Sequence, residues 1–440
     1  MNGKVQTALR IVEILVENGY QAVFAGGYVR DMLLGCEYAG DIDIATSAAP
    51  QAVASLFPRV TGVGEHFGVM LVIEGGVPFE VATFRSDVGV LDGRHPREVT
   101  FSSPEMDARR RDFTINGLFY DPLKNEVLDY VEGRRDLQAG LIRAIGDPGR
   151  RFKEDYLRLL RAVRFAARFD FRIDPETWSA MHDAAAGIEK VARERILQEI
   201  TKTLQGPHPA RAVGLLADSG LLAVILPEVE ALKGVEQPEQ FHPEGDVFSH
   251  TMKALSFLKS PSAVAAWSTL LHDIGKPATM TRTDRVRFNN HHRVGARMAR
   301  RVLKRLRASR ALIEDVCECI DKHMDFMNVT RMRLSTLKKF LARPTLDDEL
   351  ELHRVDCLAS HGDLENYEFV LQKRAELADE EVRPDPLLTG RDLIELGFKP
   401  GPVFGRILQA AYDLQLDENL RTPEEARAWA RQNRDSFGRS

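Results

Sequence analysis

Over the first 85 residues the apolar positions switch repeatedly between helical spacing and the unbroken or alternating runs of strands. Residues 5–18 repeat at helical spacing, and Glu13 and Glu17 inside that pattern mark an amphipathic helix rather than a signal sequence. "QAVFAGG" reads as a short buried strand ending in glycines, and "YVRDMLLG" as a helix closed by Gly35. "DIDIAT" reads as a strand and "AAPQAVASLF" as a helix. "GVMLVIEGGVPFEVATFR" predicts a hairpin turning at Gly75-Gly76. A polar loop, "RSDVGVLDGRHPREV" (85–99), and short strand pieces near "VLDYVEG" follow. From about Phe152 onward nearly every segment is helix-periodic.

The pattern predicts an α/β head, a small mixed sheet with flanking helices, followed by an all-α neck, body and tail. Breaks in composition place the head at 1–148, the neck at 149–205, the body at 206–382 and the tail at 383–440. In the tail, Thr422 is placed to cap a last helix, with Pro423 at its first position and Glu425 set for a capping box.

Chemistry enters with the two aspartates of "GDIDIATSAAP". On a strand, Asp41 and Asp43 point to one side about 7 Å apart, while Ile42 and Ile44 point into a core. Paired carboxylates repel unless a cation sits between them, so the stretch reads as half of a metal site; the alternative is a strand with one wet face. Upstream, Gly26 and Gly27 end a strand and open a helix, which lets backbone N–H groups approach a phosphate, with Arg30 one turn further. Glu80, on a separate strand, is the candidate third carboxylate. Two metals ~4 Å apart on carboxylates serve in-line displacement at phosphorus, one activating a hydroxyl and one neutralising the leaving pyrophosphate.

Charge distribution refines this more than the net charge of −5 does. Arginines crowd the region from Arg109 to Arg172, while acids dominate "PTLDDELELH" and "ELADEEVRPD". A basic band in an acidic chain suits a phosphate binder; a solvated helix face is the plainer reading of any one arginine. No apolar run approaches a membrane span, so no membrane partner is expected. Four cysteines are too few for a disulfide framework and suggest the cytoplasm. Within "CEC", Cys317 and Cys319 fall on opposite helix faces, which excludes shared ligation and leaves them as buried small residues.

"GGYVRDMLLG…DIDIATSA" resembles the nucleotidyltransferase signature of the DNA polymerase β superfamily, in the form used by class II tRNA nucleotidyltransferases and bacterial poly(A) polymerases. "RRDFTINGLFYD" (110–121) resembles the second motif of that family, "EDYLRLLRAVRF" (154–165) its nucleotide-selecting motif, and "ARERILQEI" (192–200) the following neck helix. The resemblance implies that Arg111, Asp112 and Asn116 contact sugar and triphosphate. It implies that Asp155 and Arg158, read as i and i+3 on a helix beginning near Phe152, recognise the base. A carboxylate receiving an exocyclic amine and a guanidinium donating to a ring acceptor suit cytosine and adenine, and oppose uracil and guanine. Arg161 and Arg164 continue that face toward phosphates. The loop at 85–99 resembles the flexible loop of enzymes that reach the terminal A.

The function implied is template-independent addition or repair of the CCA end of tRNA from CTP and ATP, with Mg²⁺ at a two-ion site. The tRNA acceptor arm is the implied partner, bound by a monomer or homodimer. A-only addition and poly(A) synthesis share the chemistry and remain rivals. A further rival comes from the body, where "FSHT", "LLHDIGKP", "FNNHHRVGA", "DKHMDF" and "HRVDCLAS" resemble HD phosphohydrolases. The candidate ligands there are His250, His272, Asp273, His292, His323 and Asp356, for a divalent transition metal or Mg²⁺.

Overall fold

A computed structural model describes residues 3–36, 41–64, 68–90, 96–237, 245–282, 286–377 and 384–437. The chain packs as two compact units, residues 1–230 with 305–308, and residues 231–304 with 309–440.

In the first unit, α1 (Gly3–Glu17) buries Ala8, Ile11, Val12 and Leu15 as one helical stripe. β1 (Ala22–Ala25) is buried at all four positions, as its continuous apolar sequence requires. Then come α2 (Gly27–Leu33), β2 (Asp43–Thr46), α3 (Pro50–Leu56), β3 (Val60–Gly64), β4 (Val69–Glu74) and β5 (Val77–Thr83). Gly75 and Gly76, both at positive φ, make the turn between β4 and β5. A separate antiparallel pair, β6 (Arg85–Val90) and β7 (Pro96–Phe101), occupies the predicted polar loop; its centre, 91–95, lies outside the described residues. After α4 (Pro104–Arg109), β8 (Leu118–Asp121) and β9 (Glu126–Asp129) return to the main sheet.

That sheet has seven strands in the order β3-β4-β5-β2-β1-β8-β9, mixed because only β2 and β5 run parallel. β2 is shorter than "DIDIAT" suggests. Its partner β1 ends at Ala25, paired with Asp43, where Gly26 (φ +66°) turns the chain out of the sheet. Asp41 therefore precedes the strand instead of lying on it, and the prediction that both aspartates share one strand is corrected.

The helical part of this unit contains α5 (Gly133–Gln138), β10 (Leu141–Ile142), α6 (Pro148–Glu154), α7 (Leu157–Phe169), β11 (Arg172–Ile173), α8 (Pro175–Ala184), α9 (Arg193–Leu204), α10 (Pro209–Asp218), α11 (Leu221–Ile225) and α12 (Pro227–Glu230). β10 and β11 form a two-residue parallel pair, too short to leave a period in the sequence. α7 positions the site. It buries Leu159, Leu160, Val163 and Ala166 on one side, while Arg158, Arg161, Arg164 and Arg168 recur every three or four residues on the other.

The second unit is helical: α13 (Val247–Ser256), α14 (Ala263–Leu271), α15 (Lys276–Thr279), a small hairpin of β12 (Met280–Arg282) and β13 (Val286–Phe288), then α16 (His291–Arg305), α17 (Arg310–Lys322), α18 (Leu334–Leu341), α19 (Leu346–Ala359) and α20 (Glu365–Glu376). α14 is buried on nearly every side, Ser268 and Thr269 included, and buries Trp267 completely. Cys317 and Cys319 are both buried, as small residues in a helix packed on more than one side. α21 (Gly390–Glu395), α22 (Pro402–Leu416) and α23 (Pro423–Gln432) enclose a core around Leu393, Ile407 and Ala426. Thr422 caps α23 by accepting from the Glu425 N–H at 3.2 Å, but the Glu425 carboxylate accepts from Arg421 N–H instead of closing the box. A complete capping box stands at Thr389–Asp392. Among the described residues no helix is long and apolar enough to cross a membrane.

One close approach fixes the start of α7. A Cβ on Gly187 would lie 1.9 Å from the ring of Tyr156, the residue preceding that helix. Gly187→Ala is expected to lower stability by about 2 kcal/mol through overpacking, read as a drop in the chemical-denaturation midpoint. Combining it with Tyr156→Ala should relieve most of the added loss; an equal loss in both backgrounds would show that the close approach is not limiting.

Candidate functional site

An open cleft of about 470 Å³ in the first unit is lined by eight arginines and three aspartates, so it carries a surplus of positive charge. Gly26, Gly27, Arg30, Asp43, Arg111, Asp112, Asn116, Asp155, Arg158, Arg161 and Arg164 all line it. Arg110, Arg168 and Arg195 line it too, and none of them was singled out in the sequence. Asp41 and Glu80 are not among the lining residues.

Each arginine is held by an acceptor behind it. Arg30, almost fully buried, donates to Asp31 at 2.7 Å and to the Asn116 side chain at 2.6 Å, and lies over the ring of Phe169. Arg111 donates from two nitrogens to Asp107 and lies over Phe119. Arg161 donates to Asp112 at 2.7 Å, and Arg164 to Glu199 at 2.6 Å. Burial alone would disfavour the Asp112 carboxylate, yet Arg161, Asn116 and the Phe113 N–H hold it down to about 2. These pairs fix the guanidinium planes, and the remaining N–H groups form a fork pattern suited to phosphate.

Gly26 is required where it stands. Its φ is +66°, and a Cβ there would lie 3.2 Å from Arg111 Nη1 and 3.6 Å from Asp43 Oδ2. The chain therefore passes between the cation and the carboxylate at the mouth of α2.

Asp155 departs from the sequence reading. Asp155 and Arg158 do not share one helix: α6 ends at Glu154, Asp155 is extended (φ −153°, ψ 103°), and α7 begins at Leu157. Aspartate competes for local backbone donors, and this one accepts from the Leu157 N–H at 3.0 Å. Its carboxylate takes both terminal nitrogens of Arg195, at 3.3 and 2.8 Å. Arg158 donates to Glu154 at 3.0 Å and to the Arg151 carbonyl at 2.9 Å. A carboxylate and a guanidinium still face the same cleft, brought there by a break between helices instead of by i, i+3 spacing.

At the sheet end, Asp43 is half-buried. Burial and the Glu80 carboxylate push its pKa up to about 6, Asp41 adds to the shift, and Arg111 opposes it. Glu80 lies one step back from the β2–β5 pair Ile44–Val81, as Asp43 does, which explains the coupling. Asp41 is exposed and accepts from Lys4 Nζ at 2.9 Å. An acidic cluster whose negative charge Arg111 does not cancel satisfies the electrostatic condition for a divalent cation. Among the described residues, however, the two groups of three ligand atoms lying within 4.8 Å of one another are elsewhere, in the second unit.

Those groups are His250, His272 and Asp273, and Asp273, His291 and His323, all buried. His272, His291 and His323 each pair Nδ1 with a backbone carbonyl, of Thr269, Phe288 and Ile320, at 2.7–3.0 Å. This assigns the proton to Nδ1 and leaves Nε2 as the ligand atom. The Nε2 atoms of His272 and His250 are 3.3 Å apart, and those of His291 and His323 are 3.2 Å apart. For His291 and His323, whose protons both sit on Nδ1, the facing lone pairs suit a cation between them. Asp356 Oδ1 lies 3.0 Å from His250 Nε2. Burial and the neighbouring imidazoles push His323 down to about 3, so it stays neutral. The expected His292 is corrected to His291. The first residue of α16 turns inward, whereas the His292 ring centroid lies 6.2 Å from that of His323 and outside both groups.

Three family models match the chain: "Poly A polymerase head domain" over 22–143, "Probable RNA and SrmB- binding site of polymerase A" over 170–233, and "HD domain" over 247–360. The CCA-adding enzyme of Geobacillus stearothermophilus is 42% identical over 221 residues, covering 50% of this chain and 54% of that protein. That of Bacillus pumilus (strain SAFR-032) is 36% identical over 276 residues, covering 62% and 65%. The match thus spans about half to two thirds of the length of these curated relatives. The crystal structure of the Bacillus stearothermophilus CCA-adding enzyme in complex with CTP is similar, with a TM-score of 0.76, 28% identity, and 100% and 99% of the two chains covered. A Thermotoga maritima CCA-adding enzyme complexed with tRNA shares the fold, with a TM-score of 0.60 at 21% identity over 98% and 95% of the chains.

The two charge arrangements can be tested separately. Because Asp112 is depressed in the folded state, its contribution is complete above about pH 4 and fades as pH falls toward 2. Asp112→Asn is expected to cost about 2 kcal/mol at pH 7, with the gap to wild type narrowing below pH 4 in urea titrations; a pH-independent gap would contradict the ion pair. For the second unit, Mn²⁺ titration calorimetry should show His291→Ala losing affinity at least about tenfold, and His292→Ala close to wild type. The reverse order would overturn the ligand assignment.

Proposed function

Because the chain belongs to the family of class II tRNA nucleotidyltransferases and bacterial poly(A) polymerases, we propose that it adds or repairs the 3′-terminal CCA of tRNA from CTP and ATP without a template. One observation carries this reading: a polar edge for a base, an arginine fan for phosphates and an aspartate with a raised pKa line one cleft.

The triphosphate lies against Gly26, Gly27, Arg30 and Arg111, where the missing Cβ of Gly26 leaves the backbone open between Arg111 and Asp43. Asp112 and Asn116, hydrogen-bonded at 3.0 Å, present the sugar with a fixed acceptor and donor. Asp155 accepts the exocyclic amine of cytosine or adenine while Arg158 donates to the ring acceptor. Arg195 and Glu154 hold the two side chains in that orientation, so selection needs no nucleic-acid strand. Arg161 and Arg164 bind phosphate beyond. Asp43, with Asp41 and Glu80, would hold divalent cations, Mg²⁺ in this reading, which supply the Lewis acidity for an attacking RNA hydroxyl and a leaving pyrophosphate. Lys4, now on Asp41, would have to yield that carboxylate. Free thiols at all four cysteines fit a reducing cytoplasm. The named relatives bind CTP in one case and tRNA in the other.

A second activity is supported by the buried histidine–aspartate groups of the second unit. Their inward Nε2 atoms suit a metal-dependent phosphohydrolase.

Incubation with tRNA lacking CCA, with CTP and ATP singly and together, tests the main reading. Two C residues from CTP alone, and the complete end only with both, are expected. A alone, or long A runs, would assign the chain to A addition or poly(A) synthesis. Asp43→Ala should reduce incorporation by about 10³-fold, while His272→Ala leaves it unchanged; retention of activity in Asp43→Ala would sink the mechanism.

A further inference from the structure

Gln237 is buried, only 8% exposed, yet its side-chain Nε2 has no hydrogen-bond partner among the described residues. A buried amide N–H without an acceptor is costly, and such a group in a native fold points to an acceptor that binds there. We propose that Gln237 is a substrate-binding residue of the histidine–aspartate centre in the second unit. Its Nε2 donates to a phosphoryl oxygen, and its Oε1 holds Lys276 where the ammonium donates to the same group. The phosphoryl group as substrate rests on the phosphohydrolase reading above; the anion pocket itself does not.

Local structure fixes the glutamine. Gly234 N–H donates to the Asp246 carboxylate at 2.6 Å, Val247 N–H donates to the Val235 carbonyl at 3.0 Å, and Arg282 pairs with Glu236 at 2.9 Å. The segment that ends in Gln237 is thus tied to the start of α13 and to β12. Lys276, the first residue of α15, donates from Nζ to Gln237 Oε1 at 2.6 Å. Its ammonium also stands 2.7 Å from Asp273 Oδ2 and 5.5 Å from the centre of the Phe288 ring. An ammonium carries donors only, so the amide must turn its oxygen to Lys276 and its NH₂ away. Flipping the amide would set donor against donor, and the unpaired N–H therefore follows from where the lysine stands.

Position selects the ligand. Asp273 belongs to both buried histidine–aspartate groups, so Gln237 reaches that centre through one lysine. The two side chains place an amide donor and a buried cation side by side. A ligand drawn to both, and to divalent cations on the adjoining imidazoles, is an anionic oxygen. A phosphoryl group carries several, so one can face the histidine–aspartate groups while another takes Gln237 Nε2. The centre is open to such a group: the Asp356 side chain, 3.0 Å from His250, is 28% exposed. Gln237 stands outside every segment that carried the sequence resemblance, and a lone glutamine in "GVEQ" announces nothing.

The test is equilibrium dialysis of radiolabelled orthophosphate against the full-length chain with Mn²⁺. Binding that His272→Ala abolishes reports the second unit and not the arginine cleft. Gln237→Leu is expected to weaken that component about tenfold, the loss of one donor to a charged oxygen, while Mn²⁺ affinity stays at the wild-type value. Gln237→Glu keeps an acceptor for Lys276, removes the donor and adds a like charge, so it should weaken phosphate at least as much. Hydrolysis of p-nitrophenyl phosphate should show the same losses as a raised KM. Phosphate binding equal in wild type and His272→Ala, or unchanged in Gln237→Leu, would overturn the proposal. So would wild-type affinity in Gln237→Glu, which would confine Gln237 to holding Lys276, or Mn²⁺ affinity falling in step with phosphate, which would assign it to the metals. A wild-type chain that binds orthophosphate through Gln237 but hydrolyses no phosphomonoester would sink the phosphohydrolase reading and leave this pocket standing.

Discussion

Mutual repulsion among arginines is the constraint on which the first unit is built. Eight of them face one cleft, and a bare cluster of that kind would push itself apart. The fold answers with carboxylates placed behind the guanidinium groups: Asp31, Asp107, Asp112, Glu154, Asp155 and Glu199. Several are buried, so losing one would strand a cation in low dielectric. The same pairing that lets the unit fold also aims the forks, and the recognition of phosphate and base edge proposed for this cleft would be a by-product of charge management.

The two candidate metal sites invert this logic. At Asp43 the surplus is negative and Arg111 does not cancel it. In the second unit the Nε2 atoms of His291 and His323, both rings holding their proton at Nδ1, stand 3.2 Å apart. Both arrangements are costly as they stand and become favourable around a divalent cation. Lys4 on Asp41 and Lys276, 2.7 Å from Asp273, are the local cations that temper the acids.

Much of this was legible in the chain. The glycine pair, the arginine spacing on α7 and the head-then-helices order are local patterns, and local patterns survive folding. What failed depended on contacts distant in sequence or on a single residue of register. Asp155 sits where two helices meet, and its partner Arg195 lies forty residues on, in a stretch with two other arginines, Arg193 and Arg211, nearby. His291 and His292 are adjacent, so only the exact start of α16 decides which turns inward. Asp41 fell outside its strand because β1 ran out of residues to pair with it.

The central claim is that Asp43 and the Asp155–Arg158 edge address the two ends of one nucleotide. Anomalous diffraction from crystals grown with Mn²⁺ and a non-hydrolysable CTP analogue tests it most directly. Manganese is expected on Asp43, with cytosine N4 and N3 within hydrogen-bond distance of Asp155 and Arg158 respectively. Manganese confined to the histidines of the second unit, or a cytosine turned away from that pair, would contradict it.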